Sequence, residues 1–582
     1  DVAVSQANRA QLPVLEAKSR VNALRARMDN QDLAGLEDRL AELHRLVGEL
    51  GQGDQAAFLL LASGDLHRRA VNEFRSEQAL LGVAYDDYLQ AREYARSAKT
   101  RSYVLGFLGA LYEDEGRLNE ALRLTSEAVF NAQAARADEQ LYRWEWQQGR
   151  IFKAQGQLDD AQKAYQRAVT VLNRVRPNFV LGSRKTFETL VAPVYAEYAD
   201  VLLLQSIAAP SQNQSQTLLT EVRNQLETLK QGEIEDYFGN QCVVITDPDT
   251  GPGTSGETGV AVIYPVLLDD RIEVLVEVGG ALLQFTTHVG EGEATQTIRE
   301  LRLNLERSNS GTAYLAPAQR LYQWLIAPSI ETFEKNNVQT LMMVPGGALR
   351  TIPMAALHDG QQFLIERYAV ANTPAIGLLE ESGPEEPANL LIGGLTESVQ
   401  GFPELPSVAR EMAMVSSMYP SRTMQDEAFK LNVVQEELVS SSFSIAHFAT
   451  HGEFSEDFTQ SFILTYDDKL TLNNLKNILD RRDDPLDLLV LSACETAAGD
   501  DRAALGLAGV AVQSGAKSAV ASLWYISDVA TAELVSTFYQ NLQSSNSTKA
   551  ESLRQAQLSL LATDEFRHPS YWAPFLLIGN WL

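Results

Sequence analysis

The chain's 582 residues exceed what one hydrophobic core organises, so two or more domains are expected. A hydrophobic share of 45% and a charged share of 21% are those of a globular protein and exclude a disordered chain. The formal net charge of −28 argues against nucleic-acid backbones and anionic membranes as partners, and favours surfaces rich in Lys or Arg.

Residues 14–230 read as helical almost throughout, because Ala, Leu, Glu, Arg and Gln dominate and apolar residues recur three and four apart. Two segments, beginning at Tyr103 and Arg143, repeat at an offset of 40 and align Gly109 with Gly149, Gly116 with Gly156, Ala121 with Ala161 and Ala128 with Ala168. Small residues where helices cross, with Tyr112 and Phe152 filling between them, predict helical hairpins. The pattern resembles tetratricopeptide repeats, whose usual period is about 34 residues. The clearest units are 102–137 and 142–177, with 60–98 and 187–230 as degenerate neighbours. No uninterrupted run of about 18 apolar residues occurs, so no membrane-spanning helix is predicted.

A Ser/Gln-rich loop, Ala209–Gln216, precedes a last helix ending near Gly232, after which the character changes to β-rich runs. We place a domain boundary near residue 231, giving a helical repeat domain at 1–230 and a second domain at 231–582. The strand runs include QCVVI, GVAVIYPVLL, RIEVLVEV and ALLQFTTHV, then VQTLMMVP, ANLLIGGL, FSIAHFATHG, LDLLVLSAC and SAVASLWYI. The segments SVAREMAMVSSMY, ALGLAGVAVQSGAK and DVATAELVSTFYQNLQ read as helices among them. Continuous apolar strands alternating with helices predict a largely parallel sheet covered on both faces, so the whole chain reads as α + α/β. Sites in such sheets gather beyond the carboxyl ends of strands, which is where ATHG and SAC fall.

The two cysteines, Cys242 and Cys494, make neither a disulfide framework nor a C-x-x-C site, and a lone cysteine is ordinarily core packing. His447 and His451 are four apart, but on a strand that separates their Cα atoms by about 13 Å, and no metal site is predicted. His447 reads as a core or supporting histidine, whereas His451 stands just before Gly452, where the chain leaves the sheet. His451 and Cys494 are 43 residues apart, enough for a crossover that sets two neighbouring strand ends side by side. A cysteine nucleophile needs an imidazole within reach and donors for the oxyanion. The backbone N–H groups of Gly452 and Cys494 are available for that, and Ala493, Ala497, Ala498 and Gly499 keep the surroundings open.

With HFATHGEF followed by LVLSACETAAG, the chain resembles the CHAT family, caspase-like domains that commonly follow tetratricopeptide repeats. The similarity extends over MMVPGGALRTIPMAAL, FPELPSVAREM, GLAGVAVQSGAKSAVASLWYISDVAT and HPSYWAPFLLIGNW, together spanning about residues 231–582. Glu495 after the cysteine departs from the caspase signature, which has Arg, Gln or Gly there. The resemblance implies a pseudo-caspase-like part at 231–385 and a catalytic part at 386–582. It implies His451 as general base, Cys494 as nucleophile, and an oxyanion hole from Gly452 and Cys494 N–H, with no third triad member. It further implies a regulated bacterial endopeptidase acting in signalling or defence.

SLWYISD, ending at Asp528, resembles the separase segment whose acidic residue reads an arginine before the scissile bond, which implies a basic P1 residue. Asp528 equally suits an N-cap, because a helix is predicted to begin there. The repeats are expected to hold a protein partner or activator, or to restrain the protease. A charged loop offering Arg481 and Arg482, and Arg502 after the cysteine, are candidate self-cleavage sites. No cofactor is expected: GVAVQSGAKS lacks phosphate-loop spacing, and no dinucleotide or calcium motif occurs. A cytoplasmic location is favoured, with a removed leader left open by the first residue, Asp1. A non-catalytic scaffold of the same architecture stands as the alternative function.

Overall fold

The computed structural model describes residues 2–178, 184–239, 259–379, 388–440, 442–455, 457–496, 502–503, 516–544 and 547–582. It divides into two compact units, Asp1–Phe179 with Thr189–Gln205, and Val180–Glu188 with Ser206–Leu582.

The first unit is built of antiparallel helical hairpins: Asp54–Phe74 with Ala79–Tyr94, Ala98–Asp114 with Leu118–Ala135, and Asp138–Ala154 with Leu158–Val175. Gly116 and Gly156 turn the second and third hairpins with φ of +71° and +74°, a conformation that L side chains rarely adopt. Close helix approach explains the small residues. A Cβ on Gly149 would lie 2.7 Å from the Tyr165 ring, one on Gly64 2.5 Å from Tyr88, and one on Gly106 2.4 Å from Trp144. Ala121, Ala128, Ala161 and Ala168 are fully buried. The filling aromatics are thus Tyr88, Trp144 and Tyr165, while Tyr112 and Phe152 sit half-buried nearer the helix ends. Thr186–Ile207 has the length and apolarity of a membrane span, but 56% of its apolar window is buried, as in a core helix.

The long helix Gln212–Phe238 belongs with the second unit, so the boundary expected near residue 231 falls inside one continuous helix. That unit holds a 13-stranded mixed sheet. Its strands are β1 (Val260–Leu267), β2 (Ile272–Val278), β3 (Ala281–Thr287), β4 (Thr340–Met343), β5 (Ala369–Asn372), β6 (Leu390–Gly394) and β7 (Ser421–Gln425). They continue with β8 (Ile445–Phe454), β9 (Phe462–Leu464), β10 (Lys469–Thr471), β11 (Leu488–Thr496), β12 (Ser518–Ser522) and β13 (Phe575–Gly579). The path is β10-β9-β8-β11-β12-β13-β5-β4-β1-β2-β3, with β6 between β7 and β8. Pairs β6/β7, β6/β8, β8/β11, β11/β12, β13/β5, β5/β4 and β4/β1 are parallel. Antiparallel β13 follows β12 and joins the two parallel halves into one sheet.

Apolar alternation through Ala446, Phe448, Leu489 and Leu491 builds one core face with Phe429, Phe454 and Ile463. QCVVI and most of the helix expected around Gly506 lie outside the described residues.

Candidate functional site

β8 and β11 are parallel neighbours, with Cα partners Phe448↔Leu491, His451↔Ala493 and Gly452↔Cys494. Between the first two pairs β8 advances three residues and β11 two, so β8 carries one extra residue at Ala449–Thr450. Such a bulge bends its strand and re-aims the side chains beyond it, of which His451 is the first. Both strands also outrun their neighbours. β6 stays paired with β8 only to Ala449, and β12 pairs with β11 only at Leu489 and Val490. His451 and Cys494 therefore lie within strands that continue to Phe454 and Thr496, rather than at their last residues, yet beyond the body of the sheet. β9 steps in beside the tail of β8, pairing Gly452 with Ile463. The side chains of 493–496 lie outside the described residues, so Cys494 is placed by its backbone, one strand spacing of about 4.8 Å from Gly452.

His451 is almost buried, 9% exposed, and its Nε2 lies 2.9 Å from the Pro403 carbonyl oxygen. A carbonyl only accepts, so Nε2 carries a proton and the neutral ring keeps its lone pair on Nδ1. Phe402 covers the imidazole at a centroid distance of 5.1 Å and abuts Phe462. The loop carrying Phe402 and Pro403 is fixed at both ends. Asp426 accepts from the Thr396 N–H and hydroxyl, each at 2.6 Å, and Asp528 Oδ2 accepts from the Ser407 N–H at 2.6 Å. Burial raises the Asp426 carboxyl, but the donors of Thr396, Gln425 and Glu397 together outweigh it and hold the group below its ordinary value.

Asp528 is the first residue of the helix Asp528–Leu542, whose N-cap, Ser527, makes no side-chain cap bond. Its carboxylate instead binds the residue that opens the neighbouring helix, Val408–Met418. Beside it Tyr525 and Val529 are 54% and 46% exposed. Burial and the Asp528 charge raise the Tyr525 phenol.

His447 is fully buried, with Nε2 donating to Glu411 at 2.9 Å and Nδ1 3.3 Å from the Tyr539 hydroxyl. Burial, Tyr419 and Glu411 hold that phenol well above its ordinary range. Both ring nitrogens serve the interior, as expected of a supporting histidine. Glu411 escaped the sequence reading, although a carboxylate among Val408, Met412 and Val415 on a buried stripe was its signal.

Arg482 donates to the carbonyls of Leu438, Ser440, Phe443 and Asp484, and Arg502 pairs with the buried Asp236 at 3.0 Å. Two of the three candidate self-cleavage arginines are thus engaged in structure, while the third, Arg481, is exposed.

Residues 315–580 match the CHAT domain family. The CHAT match begins at the helix Leu315–Leu325 and ends after β13, taking in β8 and β11, and it is a caspase-like, peptidase-related domain. Preceding it in the chain are the tetratricopeptide-like repeats. The chain is 27% identical over 332 residues to mouse (Mus musculus) tetratricopeptide repeat protein 28, covering 45% of this chain and only 13% of that protein. Among solved structures it is similar to kinesin light chain TPR-like repeats of Podosopora anserina, at 14% identity and TM-score 0.28, covering 37% and 97% of the two chains. Pseudomonas aeruginosa pilF is similar at 11% identity and TM-score 0.26, covering 55% and 95%. Likenesses this distant carry no argument about fold or function.

Proposed function

We propose that the protein is a cysteine endopeptidase in which His451 is the general base and Cys494 the nucleophile. The observation that carries this reading is that β8 and β11 are parallel neighbours whose tails, bearing His451 and Cys494, run on together past β6 and β12; with His451 opposite Ala493 and Cys494 opposite Gly452, the tail of β11 turns to bring the thiol to Nδ1. The Pro403 carbonyl supports it by holding the proton on Nε2 and leaving Nδ1 to accept another. In the reaction, Nδ1 takes the thiol proton and the thiolate sulfur attacks the scissile carbonyl carbon. The oxyanion accepts hydrogen bonds from the N–H groups of Gly452 and Cys494, released from their ladder pairing when substrate binds. Collapse breaks the C–N bond, and the imidazolium returns its proton to the leaving amine. Water, deprotonated by the same Nδ1, then hydrolyses the thioester and regenerates the thiol.

A basic P1 residue is the preferred substrate chemistry. Residues 206–582 hold 48 acidic and 22 basic residues, so nearly all the chain's net negative charge, −26 of −28, lies on the side of the sequence that bears the site. Glu404 and Glu453 are exposed next to Pro403 and Gly452, and Asp528 stands at the other end of the Pro403 loop. The protease domain in this reading takes in the whole helix Gln212–Phe238 as well as the sheet, and the repeats hold a protein partner or activator.

A fluorogenic peptide panel with Arg, Lys, Asp or Leu at P1, run with Cys494→Ala alongside, tests the proposal. Turnover after Arg or Lys that disappears in the variant supports it. Cys494 alkylation with the pH dependence of an ordinary thiol, together with no turnover in partner-containing lysate, would transfer the assignment to a non-catalytic scaffold.

A further inference from the structure

The helix Gln212–Phe238 buries a stripe at helical spacing that is charged where an apolar residue would ordinarily stand. Arg223 meets both carboxylate oxygens of Glu277 at 3.2 Å. Glu227 accepts from Tyr264 at 2.9 Å and from the Ile376 and Gly377 N–H groups at 3.0 and 3.1 Å. Lys230 donates to the Pro345 carbonyl at 3.1 Å, and Glu233 pairs with Arg350. These contacts run along one half of the sheet, over β1, β2 and the loops after β4 and β5.

The last turn reaches further. The Tyr237 hydroxyl donates to the Ser455 carbonyl at 2.8 Å, immediately after β8 and four residues after His451. Asp236 pairs with Arg502, eight residues after Cys494, and the Arg502 guanidinium lies 5.5 Å from the Tyr237 ring centre. Tyr237 therefore meets the chain leaving the histidine with its hydroxyl and the chain leaving the cysteine with its ring. Phe238 closes on Phe458 at 4.7 Å beside them.

We infer that Asp236 and Tyr237 are positioning residues that hold the segments downstream of His451 and Cys494 in mutual register, fixing both to the other half of the sheet through one helix. The inference rests on the dyad reading above and adds its control. A helix seated by buried ion pairs gains little net free energy from each, because desolvation nearly cancels the attraction. The ion pairs thus fix where the helix sits, while the buried Leu219, Val222, Leu226 and Ile234 supply its apolar anchorage. The same helix comes after Ala192–Ile207 in the chain, across a four-residue turn, so the element that aligns the dyad is covalently continuous with the repeats.

The test uses the full chain in a Cys242→Ser background, leaving Cys494 as the one thiol. Variants are Tyr237→Phe, Asp236→Asn, Arg502→Gln and the Asp236→Asn/Arg502→Gln double. Two quantities are read: the pH profile of Cys494 alkylation by iodoacetamide, and hydrogen exchange in peptides spanning 445–463 and 488–503. Asp236→Asn and Tyr237→Phe are expected to slow alkylation at pH 7 at least fivefold and to move its midpoint towards that of a free thiol. Both peptides should exchange faster, and the double variant should be no worse than Asp236→Asn. Exchange unchanged in both peptides, or an unmoved alkylation midpoint in the mild Tyr237→Phe variant, would overturn the inference. A wild-type thiol that already titrates near 8.5 would sink the dyad instead, and exchange would still report whether the helix holds the two segments.

Discussion

Lys230 offers a sharp thermodynamic test of the charged helix. Burial, acting against the attraction of Glu233, brings its ammonium down from 10.5 to about 8. The unfolded chain therefore binds more protons than the folded one between those values, so Lys230 makes stability rise with pH in that window. Between pH 7 and pH 9.5 the two binding curves differ by about 2 kcal/mol. Lys230→Met removes this contribution and keeps most of the side-chain volume. Urea unfolding of wild type and Lys230→Met at both pH values isolates it, because every other titrating group cancels in the difference of differences. The stability of wild type relative to the variant should improve by about 2 kcal/mol on going to pH 9.5. Parallel pH dependences, within about 0.5 kcal/mol, would refute the account of a buried, charged Lys230.

Asp528 separates charge from hydrogen bonding. Asp528→Asn keeps an acceptor for the Ser407 N–H, so the preference for P1 Arg over Leu should collapse while Leu turnover persists, whereas Asp528→Ala should depress both; equal loss in the two variants would assign the residue to loop anchoring alone. Gly149→Ala should lower the melting temperature, since overpacking against Tyr165 by about 1–3 kcal/mol exceeds the helix-propensity gain, and the Tyr165 hydroxyl is tethered to Glu197 at 2.8 Å; an unchanged or raised value would contradict that crossing. In the repeats, the hydrogen bond to Asp87, against an opposing desolvation, raises the His44 imidazole, with Asp86 adding to it and His67 alongside. The pair's stabilisation is then complete below pH 6.5 and fades as pH rises through the higher folded value, so slow exchange in 36–48 and 79–94 should weaken from pH 5.5 to 8.5 in wild type but not in His44→Gln.

Much of this architecture was legible because it rests on periodicity and on residues with few uses. Gly109, Gly149 and the buried alanines announce helix crossings, and the all-apolar runs before ATHG and SAC announce interior strands. What escaped depends on partners distant in sequence. β5 and β7 are short, and β7 is mostly exposed, so neither shows a clean alternation. Pro403 acts through its carbonyl, which no side-chain pattern reveals. Asp528 suited a substrate pocket or the cap of its own helix, yet its carboxylate accepts from a residue 121 positions away. The helix Gln212–Phe238 read as the end of the repeats because its composition is that of any polar helix. Only Glu277, Arg350 and Arg502 show why its charges are buried.

The place of β13 bears on how the molecule is made. This strand, residues 575–579, is the seam between β12 and β5, and β5 leads through β4 to β1, whose sequence was complete some three hundred residues earlier. During synthesis the early strands must wait, their seam edge unsatisfied, until the chain has grown past residue 579. An incomplete chain arrested anywhere before that point leaves β12 without its antiparallel neighbour and the two halves of the sheet unjoined.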